Sequence, residues 1–199
     1  MRPPPPEAAR APAPPETTRE RMIEGAAELL SRRGLQATSF SEVLAHTDAP
    51  RGSVYHHFPG GKDEMVRAAL DLVSAKMGQV MDRRADARAE EITALFLRVW
   101  RSILVTSRFE AGCAVLAVTV AAESPELRDH AAGIFRAWRH RLAELLERGG
   151  LAPDAAARFA ATLIAASEGA VVLSRGEKSL EPFDLVAAEL LEQVRRTAG

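Results

Sequence analysis

From Thr17 onward, apolar residues recur with the period of an α-helix: Ile23, Ala26, Ala27 and Leu30 stand at i, i+3, i+4 and i+7 and share one face. Thr17 with Glu20 three residues later suits a capping box at the start of this helix, and Gly34 suits a left-handed cap at its end. Ser39 with Glu42 repeats the start signal ahead of Val43 and Leu44, which predicts a second, short helix. Asp48-Ala49-Pro50 interrupts it, because Asp tolerates left-handed backbone and Pro50 is acceptable at the first position of a new helix. Arg51 to Phe58 reads as a third, very short helix, closed by Pro59-Gly60-Gly61. Asp63 and Glu64 then favour the start of a fourth, whose inner or half-buried face is traced by Met65, Ala69, Leu72, Lys76 and Val80.

Longer amphipathic stripes follow beyond about residue 85. They run Ile92-Leu95-Phe96-Val99-Ile103, Leu127-Ala131-Ile134-Trp138-Leu142-Leu145, Phe159-Leu163-Ile164 toward Val171, and Phe183-Val186-Ala187-Leu190-Leu191-Val194. Breaks are expected at Gly112, at Pro125, over 149–153 and at Gly176, with Pro182 near the last helix start. With no alternating strand pattern and no internal repeat, the expected fold is all-α, with about nine helices.

Composition narrows the classes. The chain is 47% hydrophobic and 27% charged, and its longest apolar stretch, Cys113 to Ala122, carries a Thr and is too short to span a bilayer. No membrane partner is expected. Residues 1 to about 15 hold seven of the 12 prolines and read as a solvated, partly polyproline II tail carrying Arg2 and Arg10, with Arg19 just beyond it; the tail lacks the layout of a signal peptide. The single cysteine, Cys113, excludes an intramolecular disulfide and a cysteine-rich metal site, and fits a reducing cytoplasm. A net charge of -1 means that any nucleic-acid binding must come from a local patch. Cys113 has no neighbouring base in sequence and the five histidines lack metal-ligand spacing, so neither enzyme activity nor a cofactor or metal is expected.

Two short helices joined by a tight turn form a helix-turn-helix signature. The run Thr38-Ser39-Phe40-Ser41-Glu42-Val43-Leu44, then Ala49-Pro50-Arg51-Gly52-Ser53-Val54-Tyr55-His56-His57-Phe58-Pro59-Gly60-Gly61-Lys62, resembles the TetR family over roughly residues 17 to 65. Asp48 stands where the family commonly has Gly, and Pro50 where Ser is frequent. The form Ala-Pro-Arg-Gly-Ser, with Gly112-Cys113 later, is similar to a subgroup that includes multidrug- and flavonoid-responsive repressors. The resemblance implies a DNA-binding unit over 17–63 after the tail at 1–16, and a helical ligand-binding and dimerisation unit over 64–199.

Within the reading unit, Arg51 and Ser53 occupy the first turn of the recognition helix, the part that reaches base edges, and Gly52 permits close approach to the DNA backbone. Tyr55 and His56 lie on the outward arc and, by the resemblance, offer a hydroxyl and an imidazole to phosphates. Lys62 stands at the start of the fourth helix, where ammonium and free backbone N–H groups converge on an anion, and Thr38 and Ser39 do the same at the second. Val54 and Phe58 read as core, and His57 as an interior histidine.

In the family the later helices enclose a ligand pocket and the last two pair with a second copy. Ala160, Ala161, Ala165, Ala166, Gly169 and Ala170 make a small-residue helix that a partner can approach closely, and the last helix has a broad apolar stripe that an intrachain core explains equally well. Pocket candidates are Phe96, Trp100, Phe109, Cys113, Val118, Phe135, Trp138 and Ile164, which suit a planar hydrophobic ligand. Glu168 interrupts an apolar run as either an orienting group or a solvated position. The implied function is a cytoplasmic, homodimeric repressor on double-stranded operator DNA, released by a small hydrophobic effector. The alternative is the same fold acting as an activator or interaction module.

Overall fold

The computed structural model describes residues 17–198; the proline-rich segment read as a tail, with Arg2 and Arg10, lies outside the described residues. Helix α1 (Thr18–Arg33) opens with a full capping box: the Glu20 N–H donates to Thr17 Oγ1 at 3.2 Å and the Thr17 N–H to the Glu20 carboxylate at 2.8 Å. Gly34 closes it at φ 78°, its N–H reaching the Leu30 carbonyl. Helix α2 (Phe40–Thr47) has half of the expected box. Ser39 Oγ accepts from the Glu42 N–H, but the Glu42 carboxylate turns to Arg33 at 3.1 Å.

Asp48 takes the left-handed conformation foreseen for it, φ 51° and ψ 31°. The expected third helix divides into a 3₁₀ turn, Arg51–Ser53, and one α-turn, α3 (Val54–His57), and Pro50 stands ahead of the first helical position instead of in it. Helix α4 (Gly61–Asp82) buries Met65, Val66, Ala69, Leu70, Met77 and Met81. Lys76, assigned to the inner or half-buried face by periodicity, is exposed and pairs with Glu24 of α1 at 2.9 Å.

The remaining helices are α5 (Ala89–Thr106), α6 (Ala114–Ala121), α7 (Pro125–Arg148), α8 (Pro153–Glu177) and α9 (Glu181–Ala198). Helix α6 left no periodic trace because its residues are apolar on nearly every face. Pro125 and Pro153 open α7 and α8 at the first helical position, where a missing N–H costs nothing. Gly176, expected as a break, lies inside α8, and the chain turns two residues later at Lys178 with φ 50°.

Among the described residues there are nine α-helices and no strand, so the all-α expectation holds. Helices α1 to α3 form a head and α4 to α9 a body. Helix α7 packs on α8, α8 on α9, and α5 lies over both α8 and α9. Helix α4 packs on α1 at one side and α7 at the other, and α6 also touches both α1 and α7. One apolar core therefore runs without interruption from Met22 in the head to Val194 in the last helix.

Candidate nucleic-acid interface and internal cavity

The head presents a polar surface built on an aromatic base. Phe58 is fully buried, Phe40 stacks on it with ring centroids 6.4 Å apart, and Tyr55 stands edge-on to Phe40 at 6.0 Å. Tyr55 is thereby held from below while 75% of its surface faces solvent. Arg51, Gly52 and His56 are exposed beside it, and the half-buried His57 ring lies 5.2 Å from that of His56. Arg19 is drawn back onto the head, its guanidinium 5.2 Å above the Phe58 ring. The Ser53 backbone belongs to the 3₁₀ turn; its side chain lies outside the described residues.

Gly52 does not have positive φ, and a methyl group placed on it meets nothing within 4 Å. Nothing among the described residues crowds that position, so the fold leaves open space beside Gly52.

Three of the expected DNA contacts, Thr38, Lys62 and Ser39, are engaged within the protein. Thr38 is fully buried, and its hydroxyl donates to the Gly34 carbonyl at 2.8 Å, so it shapes the α1–α2 turn and does not face a ligand. That expectation is corrected. Lys62 Nζ donates to the Leu35 carbonyl at 2.9 Å, pinning the same turn to α4 and leaving its other two protons. Ser39 accepts the α2 capping bond and lies 2.8 Å from Ser41 Oγ. Ser41, exposed one turn ahead of Leu44, shares this surface and carried no motif signal of its own.

A cavity of about 620 Å³ opens between head and body. One wall is the head's own: Gly25, Ala27 and Ser31 of α1 and Thr47 of α2. The facing wall comes from α4, with Leu72, Val73 and Met77, and from α5, with Val99, Trp100 and Ile103; Cys113 and Trp138 close the end. Exposed charged or titratable side chains, Arg21, Glu24, Glu28, His46 and Lys76, ring the mouth.

Of the nine expected pocket residues, this cavity gathers Trp100, Cys113 and Trp138. Phe96, Val118 and Ile164 are packed in the core and do not line this cavity, with Phe96 edge-on to Trp100 at 6.4 Å. Phe135 supports Trp138 edge-on at 5.8 Å without lining the space. Phe109, at φ 65°, borders a separate surface hollow with Val172 and Arg175. The head residues of the wall carried no signal, because a space between two units is defined by their packing and not by the period of either.

Glu168, 8% exposed, contacts the Cys113 thiol and does not line the cavity. Burial raises its carboxyl to about 7, the thiol contact working the other way. Burial, with the Glu168 charge beside it, pushes the Cys113 thiol up, and its sulfur accepts the Leu116 N–H at 3.3 Å, so this thiol is a poor nucleophile. Among the described residues no group of three His, Cys, Asp or Glu side chains is placed to hold a metal ion.

The description of the bacterial regulatory proteins of the tetR family matches residues 22–69, and that of the C-terminal domain of LmrA/YxaF-like transcriptional regulators matches residues 89–189. The chain belongs to the TetR family. An uncharacterised HTH-type transcriptional regulator of Mycobacterium tuberculosis is 36% identical over 179 residues, covering 86% of this chain and 91% of that protein. The HTH-type transcriptional regulator LmrA of Bacillus subtilis is 24% identical, over 90% of this chain and 97% of that protein. In fold, a regulatory protein TetR from Rhodobacter sphaeroides superposes with a TM-score of 0.79 at 20% identity, covering 88% of this chain and 97% of the other. The TetR family regulator CifR, solved in complex with 26-base-pair double-strand operator DNA, superposes with a TM-score of 0.71 at 22% identity, over 91% and 98% of the two chains. The protein is accordingly a DNA-binding transcriptional regulator of the TetR family and not an enzyme.

Proposed function

We propose that the chain is a homodimeric repressor that leaves its operator when a small aromatic molecule binds. The observation that carries this reading is the cavity shared by head and body, since a ligand there meets both the reading unit and its support. In this reading residues 17–63 bind DNA and lend one wall to the ligand cavity, and 64–199 supply the rest of that cavity and bind the partner, in the cytoplasm. Arg51 and Ser53 approach base edges in the major groove, Gly52 lies against the DNA backbone, and Tyr55 and His56 reach phosphates. The backbone N–H groups near Ser39 and the remaining Lys62 protons add phosphate contacts.

Dimerisation is supported by α8. This helix is long and apolar enough to cross a membrane by length and composition, yet only half of that stretch is buried in its own chain. Its exposed side carries Ala157, Ala161, Ala165, Gly169, Val172 and Gly176, a narrow ridge that lets a second helix come close. Methyl groups added to Gly169 or Gly176 meet nothing within 4 Å, so both leave room for a partner. A two-fold pair sets two recognition helices for half-sites about 34–36 Å apart. A ligand that prefers the conformer with wrong spacing weakens DNA binding by its differential affinity, typically about 1–3 kcal/mol. A relative over part of the chain, 30% identical across 95 residues, is named the HTH-type transcriptional repressor KstR2.

The test is a mobility shift on the DNA flanking the protein's own gene at two salt concentrations, with Tyr55→Ala alongside. Salt-sensitive binding that Tyr55→Ala weakens supports the assignment. A shift indifferent to both salt and substitution removes it.

A further inference from the structure

The mouth of the cavity is charged, and its charges are almost all spent on one another. Lys76 pairs with Glu24 at 2.9 Å, and Glu28 receives both Arg32 and His46 at 3.0 Å. Among the described residues at the mouth, Arg21 alone carries a charge without an ion pair or hydrogen bond. It is an exposed residue of α1 that lines the same cavity as the apolar and aromatic wall formed by Val99 and Ile103 of α5 and the rings of Trp100 and Trp138.

The two demands of this space are thus separate. The interior asks for an apolar body, which the nearly buried indole rings of Trp100 and Trp138, 3% and 2% exposed, are fixed to receive by Phe96 and Phe135. The mouth has one cationic group left over, and a guanidinium holds carboxylates, sulfonates and phenolates through charge-assisted, often bidentate, hydrogen bonds. We propose that the cavity selects aromatic molecules bearing one anionic end, the ring lying against Trp100 and Trp138 and the anion held by Arg21. Such a ligand spans the joint, its charged end on α1 of the head and its ring on α5 and α7 of the body. This inference rests on the effector reading of the cavity given above.

Both of the chain's tryptophans line the cavity, so energy transfer from tryptophan to a naphthalene dye reports occupancy in the full-length protein. The matched dyes are 8-anilinonaphthalene-1-sulfonate and the uncharged N-phenyl-1-naphthylamine, which differ by the sulfonate. The sulfonate dye is expected to bind about tenfold or more tightly than its neutral analogue. Arg21→Gln should bring the two affinities together by weakening the sulfonate dye alone. Arg19→Gln, an exposed arginine on the same helix that lines a different hollow, should leave their ratio as it is. Ala27→Phe, which fills the head wall, should weaken both dyes. A ratio that survives Arg21→Gln, or dye binding indifferent to Ala27→Phe, overturns the proposal. Equal binding of the two dyes to the unaltered protein overturns the anionic preference while leaving the cavity as an effector site; failure of both dyes to bind removes the effector reading and this inference together.

Discussion

The guanidinium of Arg175 lies so close over Gly112 that a methyl group on that glycine would stand 2.6 Å from Nη1. From there Nη2 donates to the carbonyls of Arg32 at 3.2 Å and Glu110 at 3.1 Å, while the Gly112 N–H donates to the Ser31 carbonyl at 2.8 Å. Two carbonyls at the C-terminal end of α1, which an isolated helix would leave unpaired, are therefore capped from the body, one of them by a cation placed where the helix dipole favours it.

Gly112→Ala must displace the guanidinium and break this clasp. Because the obstacle is the end of a flexible side chain, the fold survives, and the expected loss is about 1–2 kcal/mol in denaturant unfolding. Arg175→Met should cost a similar amount. The double variant should lose little more than either single, since both remove the same contact; additive losses would show that the clasp is not shared.

Two other glycines separate fold from function. At Gly25 a methyl group would collide with the Thr47 side chain, so Gly25→Ala drives α1 and α2 apart and should cost about 2 kcal/mol or more of stability. At Gly52 a methyl group meets nothing, and alanine is the better helix former. Gly52→Ala should therefore melt no lower than the parent while binding operator at least about tenfold more weakly, because in the proposed reading the added methyl stands where the DNA backbone approaches. Unchanged operator affinity would place the DNA elsewhere on the head.

The fold was legible wherever one helix face differs from the other. The capping box at Thr17, the left-handed Asp48 and the breaks at Pro125 and over 149–153 are local signals, and local chemistry decided them. Helix α6 escaped because it has no polar face, while the break read at Gly176 falls one residue before the last residue of α8. At the reading surface the residue types were legible but the use of their polar atoms was not. Nothing local says that Thr38 donates to Gly34 or that Lys62 reaches back 27 residues to Leu35. The cavity was the least legible part, since Thr47 and Ala27 become walls only when α5 and α4 are set opposite them.

Glu168 predicts a pH dependence with a definite sign. Its carboxyl ionises near 7 in the folded protein because burial opposes the charge, against an ordinary value of 4.5. As pH rises through 4.5 the unfolded chain releases this proton first, and the folded chain keeps it until about 7. The folded form then binds more protons, so the stability this group contributes is fully present below 4.5, declines between 4.5 and about 7, and is flat above. The total is on the order of 3 kcal/mol. Denaturant midpoints taken from pH 5 to pH 8 should fall for the parent and lose that slope in Glu168→Gln. Identical slopes in the two proteins would mean that the carboxyl is not held neutral by burial.

The exposed ridge of α8 makes the sharpest demand on the assembly. Ala165 lies mid-ridge between Ala161 and Gly169, exposed and one turn from each, so a large charged side chain there keeps a second helix at a distance without touching the core. Ala165→Arg should leave the helical circular dichroism and the unfolding of the single chain intact, yet shift the mass measured by sedimentation equilibrium from two chains to one at micromolar concentration. Operator affinity should fall steeply with it, because one recognition helix then binds a half-site without its twin. A variant that sediments as the parent does would show that this ridge of α8 does not hold two chains together. A variant that becomes monomeric yet holds operator with parental affinity would mean that each head reads DNA independently, and that the ridge serves assembly alone.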